Sequence, residues 1–276
     1  MTRFRNATLA ELDLILGWAA DEGWNPGVED AAAFYQADPQ GFFVAVDPSD
    51  QPVAAISVVN HTPHFAFLGL YIVRPAYRGQ GIGLGLWTHA LAHSGVRTVG
   101  LDGVEAQQDN YKSSGFQHAG GTTRYTGTVQ GFRDPEITRI TPAQLPTLLD
   151  MEAQASGVEK PRYLTAWFQG SATRTTIVAQ GKSGIDGFCT IRTCGSGAKI
   201  GPLVASDTKV AHRLIAHAAA LGDGPVTLDV PATAAALQDH CVHLGLEPGF
   251  RTARMYNGPF AAPQHDNFAV ASLELG

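Results

Sequence analysis

The chain has 276 residues, 44% hydrophobic and 16% charged, with 19 basic against 25 acidic side chains and a formal net charge of −6. That length suits two ordinary α/β domains better than one, and the composition supports buried cores and excludes global disorder. No run of Lys and Arg marks a phosphate-backbone track, and no uninterrupted apolar stretch is long enough for a bilayer, so neither nucleic acid nor membrane is expected as a partner. The first residues, Met1-Thr2-Arg3-Phe4-Arg5-Asn6, contain no apolar signal core, and a cytoplasmic protein is expected. Cys189, Cys194 and Cys241 are odd in number and lack CxxC spacing. They read as buried reduced thiols, and no metal is expected.

In chain order, a short strand at residues 3–5 precedes a helix that starts at Thr8. Thr8 and Glu11 stand at capping-box spacing. The loop Glu22-Gly23-Trp24-Asn25-Pro26-Gly27 breaks that helix, and a second runs from about Val28 to Gln36. Strands follow at Phe42–Val46, at Val53–Asn60 after the turn Asp47-Pro48-Ser49-Asp50, and at Phe67–Val73. The last of these runs into a Gly-rich loop. A helix then begins at Ile82, with Leu86 and Ala90 on one line and Trp87 and Leu91 on the next, and ends at Gly95. A strand at Thr98–Asp102, a short helix near Gln107–Ser113 and a strand near Thr122–Thr128 close the unit, and Pro135 sits in the linker.

The second half repeats this plan. Thr8-Leu9-Ala10-Glu11-Leu12 corresponds to Thr141-Pro142-Ala143-Gln144-Leu145, and Val44-Ala45-Val46 to Ile177-Val178-Ala179, both 133 residues on. Gly69 meets Gly201 at a shift of 132. Gly115-Phe116 meets Gly245-Leu246 at 130, as Arg124 meets Arg254. A nearly constant offset across most of each half points to tandem duplication. The offset shortens over the segment that holds the Gly-rich loop, so the second copy lacks that loop. Two domains are expected, residues 1–132 and 133–276.

The loop carries the chemistry. Arg78-Gly79-Gln80-Gly81-Ile82-Gly83 joins a strand to a helix, an arrangement that gathers backbone N–H groups and a positive helix end around an anion. Gly81 and Gly83 are expected at positive φ, where glycine is free to go. The spacing fits neither GxxxxGK[ST] nor GxGxxG. Read from Tyr71-Ile72-Val73-Arg74-Pro75 through Gly83, the segment resembles the V-x-P-x-x-R-G-x-G-x-G signature of the GNAT superfamily of N-acetyltransferases. Tyr111-Lys112-Ser113-Ser114-Gly115-Phe116 resembles that family's Tyr-containing segment ending in Gly-Phe.

The resemblance implies an α/β (α+β) fold of two tandem GNAT-like domains, each a mixed, mostly antiparallel twisted sheet flanked by helices. It implies acetyl-CoA as cosubstrate, held by Tyr71, Ile72, Val73, Arg78, Gly79, Gln80, Gly81, Ile82 and Gly83. Acetyl would pass to an amine by direct attack in a ternary complex. Tyr111 would protonate the departing thiolate, or pack on pantetheine; both readings stand. A neutral phenol suits the donor role at neutral pH.

The chain departs from the family pattern in two places. Val104 stands where many members have Asn, seven residues before the tyrosine, and Phe67-Leu68-Gly69-Leu70 offers no carboxylate to relay the amine's proton. Asp102, Glu105 and His64 are positional candidates for the base. The tyrosine favours an enzyme, and the missing carboxylate favours a non-catalytic acyl-CoA-binding or regulatory module. Glu22, Trp24 and Asn25, on a loop stiffened by Pro26, are candidates to receive a small-molecule or peptide amine together with Asp102. In the second half Ser206-Asp207-Thr208-Lys209 replaces the Gly-rich turn and Cys241 takes the place of Tyr111. That copy is expected to complete the acceptor pocket, with Asp150, Glu152 and Arg162 as further candidates, or to act as an intramolecular dimer partner in a monomeric pseudo-dimer.

Overall fold

The computed structural model describes residues 2–182, 184–263 and 265–276. The first half contains β1 (Arg3–Asn6), α1 (Leu9–Asp21), α2 (Asp30–Ala37), β2 (Phe42–Val46), β3 (Pro52–Asn60), β4 (Phe65–Val73), α3 (Ile82–Leu91), β5 (Thr98–Val104), α4 (Gln108–Ser113) and β6 (Gln117–Gly127). Thr8 caps α1 through the expected box, its hydroxyl accepting from the Glu11 N–H while the Glu11 carboxylate accepts from the Thr8 N–H. β6 begins five residues before the strand expected from Thr122.

The second half repeats the order as β7 (Ile137–Arg139), α5 (Leu145–Ser156), α6 (Pro161–Phe168), β8 (Arg174–Gln180), β9 (Ile185–Thr193), β10 (Ala198–Ala205), α7 (Thr208–Ala219), β11 (Val226–Pro231), α8 (Ala235–His243) and β12 (Glu247–Asn257). A short strand, β13 (Phe268–Ala269), follows.

Strand β2 shows why the helices form two layers. Phe42, Val44 and Val46 turn to the face that holds α1, α2, α5 and α6, whereas Phe43 and Ala45 turn to the face covered by α3. The strand is buried on both sides and reads as an unbroken apolar run. On the shared face the halves meet through α2 and α6, where Phe34 stacks on Trp167 with ring centroids 5.9 Å apart.

All strands belong to one mixed, mostly antiparallel sheet in the order β1-β2-β3-β4-β5-β12-β6-β11-β10-β9-β8-β7. The two closing strands are therefore exchanged. β12, from the second half, pairs with β5, and β6, from the first half, pairs with β11. Each exchanged strand brings an arginine to an aspartate of the opposite half. Arg254 donates to both carboxylate oxygens of Asp102 at 2.9 and 2.7 Å, and Arg124 to both of Asp229 at 2.7 and 2.9 Å. Burial works to raise the Asp229 carboxyl, but Arg124, with Lys199 and Arg192 nearby, outweighs it and holds the group below its usual range.

In each half the central parallel pair opens. β4 and β5 stay in register only from Phe65↔Thr98 to Leu68↔Leu101, and β10 and β11 only at Ala198↔Val226 and Lys199↔Thr227. β13 fills the second opening. It pairs with β10 at Leu203↔Ala269 and Val204↔Phe268, while the Val270 N–H donates to the backbone carbonyl of Asp229 on β11. The segment Val270–Gly276 then crosses to the first half. Its carbonyls lie so close over Gly201 and Gly69 that a Cβ at Gly201 would overlap the Val270 oxygen and one at Gly69 the Glu274 oxygen. The Gly69–Gly201 correspondence thus has a steric cause.

His61 anchors this segment, its Nε2 lying 2.9 Å from the Leu275 carbonyl oxygen and so donating to it as the neutral ring. Burial, reinforced by Lys160, pushes the imidazole down to about 3. Above pH 6.5 the group is neutral whether the chain is folded or not. Between 6.5 and 3 only the unfolded chain takes up the proton, so stability falls by about 1.4 kcal/mol per pH unit from this group. Urea denaturation at pH 7.5 and pH 5 should show the unaltered protein losing about 2 kcal/mol more than His61→Gln, which keeps a donor but cannot titrate. Parallel losses in the two proteins would contradict this account of His61.

Candidate active site

The Gly-rich loop leaves β4 through a short 3₁₀ turn at Pro75–Tyr77 and enters α3 with Gly81 as N-cap. Gly79 and Gly81 take φ of 74° and 76°, and a Cβ at either would meet no atom within 4 Å. Their constraint is backbone conformation, and the space above them is open. Gly83 does not share it. It lies inside α3 with helical φ, and its missing Cβ makes room for the Tyr71 hydroxyl, which would otherwise stand 2.7 Å away. The positive-φ pair is therefore Gly79 and Gly81, where Gly81 and Gly83 had been expected. Glycine recurs at Gly83 because an aromatic ring from β4 packs against the first turn of α3.

The first intrahelical bond of α3 runs from the Gly85 N–H to the Gly81 carbonyl, so the amides before it face outward from the positive end of the helix. The loop's own side chains are directed elsewhere. Gln80 donates back to the Ala76 carbonyl at 3.0 Å. Arg78 donates through Nε to the Val73 carbonyl at 2.8 Å and through Nη2 to the Glu22 carboxylate. An anion here is met chiefly by backbone N–H groups, with the Arg78 charge beside them.

Beyond Leu68 and Leu101, β4 and β5 separate, and two concavities flank the gap. One is a groove on the α3 side, lined by Leu84, Trp87 and Asn110. The other is a cleft of about 600 Å³, its mouth included, lined by Trp24, Leu70, Arg124, Phe250 and Glu274. Tyr71, Gln107 and Tyr111 line both. A linear molecule lying in the groove and a second molecule in the cleft would touch at these three side chains.

Tyr111 is held tightly at that junction. Its ring stacks on Trp87 at 5.5 Å and 20° and meets Phe116 edge-on. Gly103 lacks the Cβ that would come 2.8 Å from the ring. Burial, aided by Tyr71, pushes the phenol well above its usual range, so at neutral pH it stays protonated and keeps a hydroxyl to donate.

The remaining sequence candidates are placed as follows. Glu22 pairs with Arg78 and so ties the loop before α2 to the Gly-rich loop. Trp24 faces the cleft, and its carbonyl accepts from Arg124 Nη1 at 3.0 Å and Lys199 Nζ at 2.8 Å. Asn25 points away, bonding the backbone of Ser196 in the turn between β9 and β10 at 2.8 and 3.0 Å. Asp102 lines the cleft with both oxygens engaged by Arg254. Glu105, His64, Asp150 and Arg162 are exposed, and Glu152 is buried against Lys160 at 2.9 Å. All three cysteines are buried free thiols, and burial pushes Cys241 up to about 12.

Arg124, Phe250 and Glu274 also belong to the cleft and were not singled out by sequence. Phe250 and Glu274 come from the second half, and Arg124 rides on the exchanged strand β6, its guanidinium 5.3 Å from the Phe250 ring. The Arg124–Arg254 correspondence was the available signal, and it needed the strand exchange to acquire meaning.

Residues 9–116 match the model of the acetyltransferase (GNAT) family, and residues 148–269 match that of an acetyltransferase (GNAT) domain. The chain is 35% identical over 277 residues to holothin acyltransferase from a Pseudoalteromonas species, covering 98% of this chain and 93% of the relative. A provisionally assigned acetyltransferase from Pyrococcus horikoshii superimposes with a TM-score of 0.83 at 20% identity over 100% of this chain and 96% of that one. A tandem GNAT protein from the clavulanic acid biosynthesis pathway does so with a TM-score of 0.64 at 16% identity, over 95% of this chain and 100% of that one. These two share the fold. The chain is thus a tandem member of the GNAT acyltransferase family, with two GNAT domains in one polypeptide.

Proposed function

We propose that this protein transfers an acetyl group from acetyl-CoA to the primary amine of a small, largely apolar acceptor, by direct attack within a ternary complex. The observation that carries this reading is the meeting of groove and cleft at Tyr71, Gln107 and Tyr111. Pyrophosphate sits on the N–H groups of residues 79–83, pantetheine follows the groove where β4 has left β5, and the thioester reaches Tyr111. The acceptor enters from the cleft. Trp24, Leu70, Leu101 and Phe250 give that cleft an apolar lining suited to a compact acceptor rather than a polycation. The relationship to holothin acyltransferase makes holothin the first acceptor to try.

As the amine nitrogen bonds to the thioester carbon and the carbon–sulfur bond breaks, the thiolate takes its proton from Tyr111. The proton released by the nitrogen restores the phenol. One cofactor is bound per chain, in the first-half domain of residues 1–132, because β13 fills the corresponding gap between β10 and β11. The second domain, residues 133–276, serves the acceptor side by supplying Phe250 and Glu274.

Gly81→Asp places a side chain on a residue at φ 76° and a negative charge beside the pyrophosphate. Calorimetric titration with CoA should show affinity reduced by more than tenfold in a folded variant, because several charge-assisted hydrogen bonds are lost together. Unchanged affinity would move the cofactor elsewhere.

Tyr111→Phe keeps the ring that stacks on Trp87 and removes the donor. Thiol release should slow by roughly 10²–10⁴-fold at saturating acetyl-CoA, with affinity for the cofactor little changed. Normal turnover with weakened binding would assign Tyr111 to packing on pantetheine. Absence of thiol release from the unaltered protein with holothin and a panel of primary amines would favour a non-catalytic acyl-CoA-binding module.

A further inference from the structure

Strand β4 reads Phe67-Leu68-Gly69-Leu70 where it borders the cleft, and no carboxylate comes from it. At that place the segment Val270–Gly276 lies directly on the strand, with the Glu274 carbonyl against the Cα of Gly69. Glu274 thereby joins Trp24, Tyr71 and Tyr111 in lining the cleft. The residue is 5% exposed. No ion pair or hydrogen bond among the described residues engages its carboxylate, which lies in the field of Arg124 on β6, Arg192 on β9 and Lys199 on β10. The other acid lining the cleft, Asp102, is committed to Arg254, and Asp229 beneath it is committed to Arg124, while Glu105 at the rim is exposed to solvent.

We propose that Glu274 is the catalytic carboxylate of the acceptor site, receiving the acceptor's ammonium group and taking the proton that must leave before the nitrogen can attack. Its position follows from three features of the chain. Gly69 has no side chain, so the segment can approach β4. The Leu70 backbone at φ 48° breaks the regular course of the strand beside it. His61 and Ser272 hold the neighbouring Leu275, through its carbonyl and its N–H at 2.9 and 3.1 Å. The acceptor class is a primary amine that arrives protonated and carries an apolar body. Its charge meets Glu274 and its body packs between Trp24 and Phe250.

The proton steps balance. An ammonium gives one proton to Glu274, which passes it to solvent. The amine then adds to the thioester carbon as the carbon–sulfur bond breaks, Tyr111 protonates the sulfur, and the second amine proton returns to Tyr111. The products are the amide, the free thiol of CoA and one proton in solution.

The inference rests on the acetyl-transfer reading, and the test separates the two. Steady-state kinetics would be run on the full chain with acetyl-CoA and the best acceptor of the amine panel, for the unaltered protein, Glu274→Gln and Glu274→Ala. Thiol release by the unaltered protein decides the transfer reading by itself, and its absence would overturn both. With transfer present, Glu274→Gln should lower kcat/KM for the amine by roughly 10²–10⁴-fold while leaving the KM for acetyl-CoA within about twofold. Its rate should rise with pH toward the pKa of the free amine, since only amine already deprotonated in solution can react. Added formate should partly restore Glu274→Ala. If Glu274→Gln binds CoA normally and keeps the kcat/KM and pH profile of the unaltered protein, Glu274 is not the base and the inference fails. A drop in rate with an unchanged pH profile and no rescue by formate would assign it to packing instead.

Discussion

Two reciprocal guanidinium–carboxylate pairs, Arg254 with Asp102 and Arg124 with Asp229, hold the exchanged strands in the central sheet. Each lies largely out of water, so neither partner tolerates loss of the other: removing one member of such a pair typically costs about 3–5 kcal/mol. Their effect reaches beyond stability. The Arg254–Asp102 pair fixes β12 beside β5 at the foot of the β4–β5 opening, and the Arg124–Asp229 pair fixes β6 beside β11. Because the pairs cross between halves, the cleft is walled by both domains from the moment the sheet closes.

The duplication has been used asymmetrically. Both halves open their central parallel strands, which leaves backbone groups unpaired in each. In the second half the chain satisfies them itself with β13, and in the first half the opening stays free for a ligand. The segment that leaves β13 then crosses to the free opening and delivers Glu274. One stretch of about nine residues thus fills one opening and lines the cleft beside the other. Gly201 and Gly69 are the two points where a side chain would block its path.

Much of this was legible in the sequence. The capping box at Thr8, the strand entering the Gly-rich loop and the helix from Ile82 depend on short-range chemistry, and local patterns report them. The offset between halves reflected a common architecture and gave two domains in tandem. The strand exchange was not legible, because Gln117–Gly127 and Glu247–Asn257 have the same local character whichever neighbours they pair with. The positive φ assigned to Gly83 belongs to Gly79 for a related reason. A run of alternating glycines does not say which of them is needed for conformation and which for the close approach of Tyr71. Glu274 carried no motif at all; its meaning arises from contact with Gly69, more than two hundred positions earlier.

The most direct test of the account is a crystal structure of the protein with acetyl-CoA and an unreactive analogue of the acceptor amine. One cofactor should appear per chain, its pyrophosphate on the amides of residues 79–83 and its thioester beside the Tyr111 hydroxyl. The analogue's nitrogen should lie between that thioester and Glu274, with β13 still seated between β10 and β11. Cofactor density in the second opening, or an amine bound outside the cleft that Trp24 and Phe250 line, would contradict it.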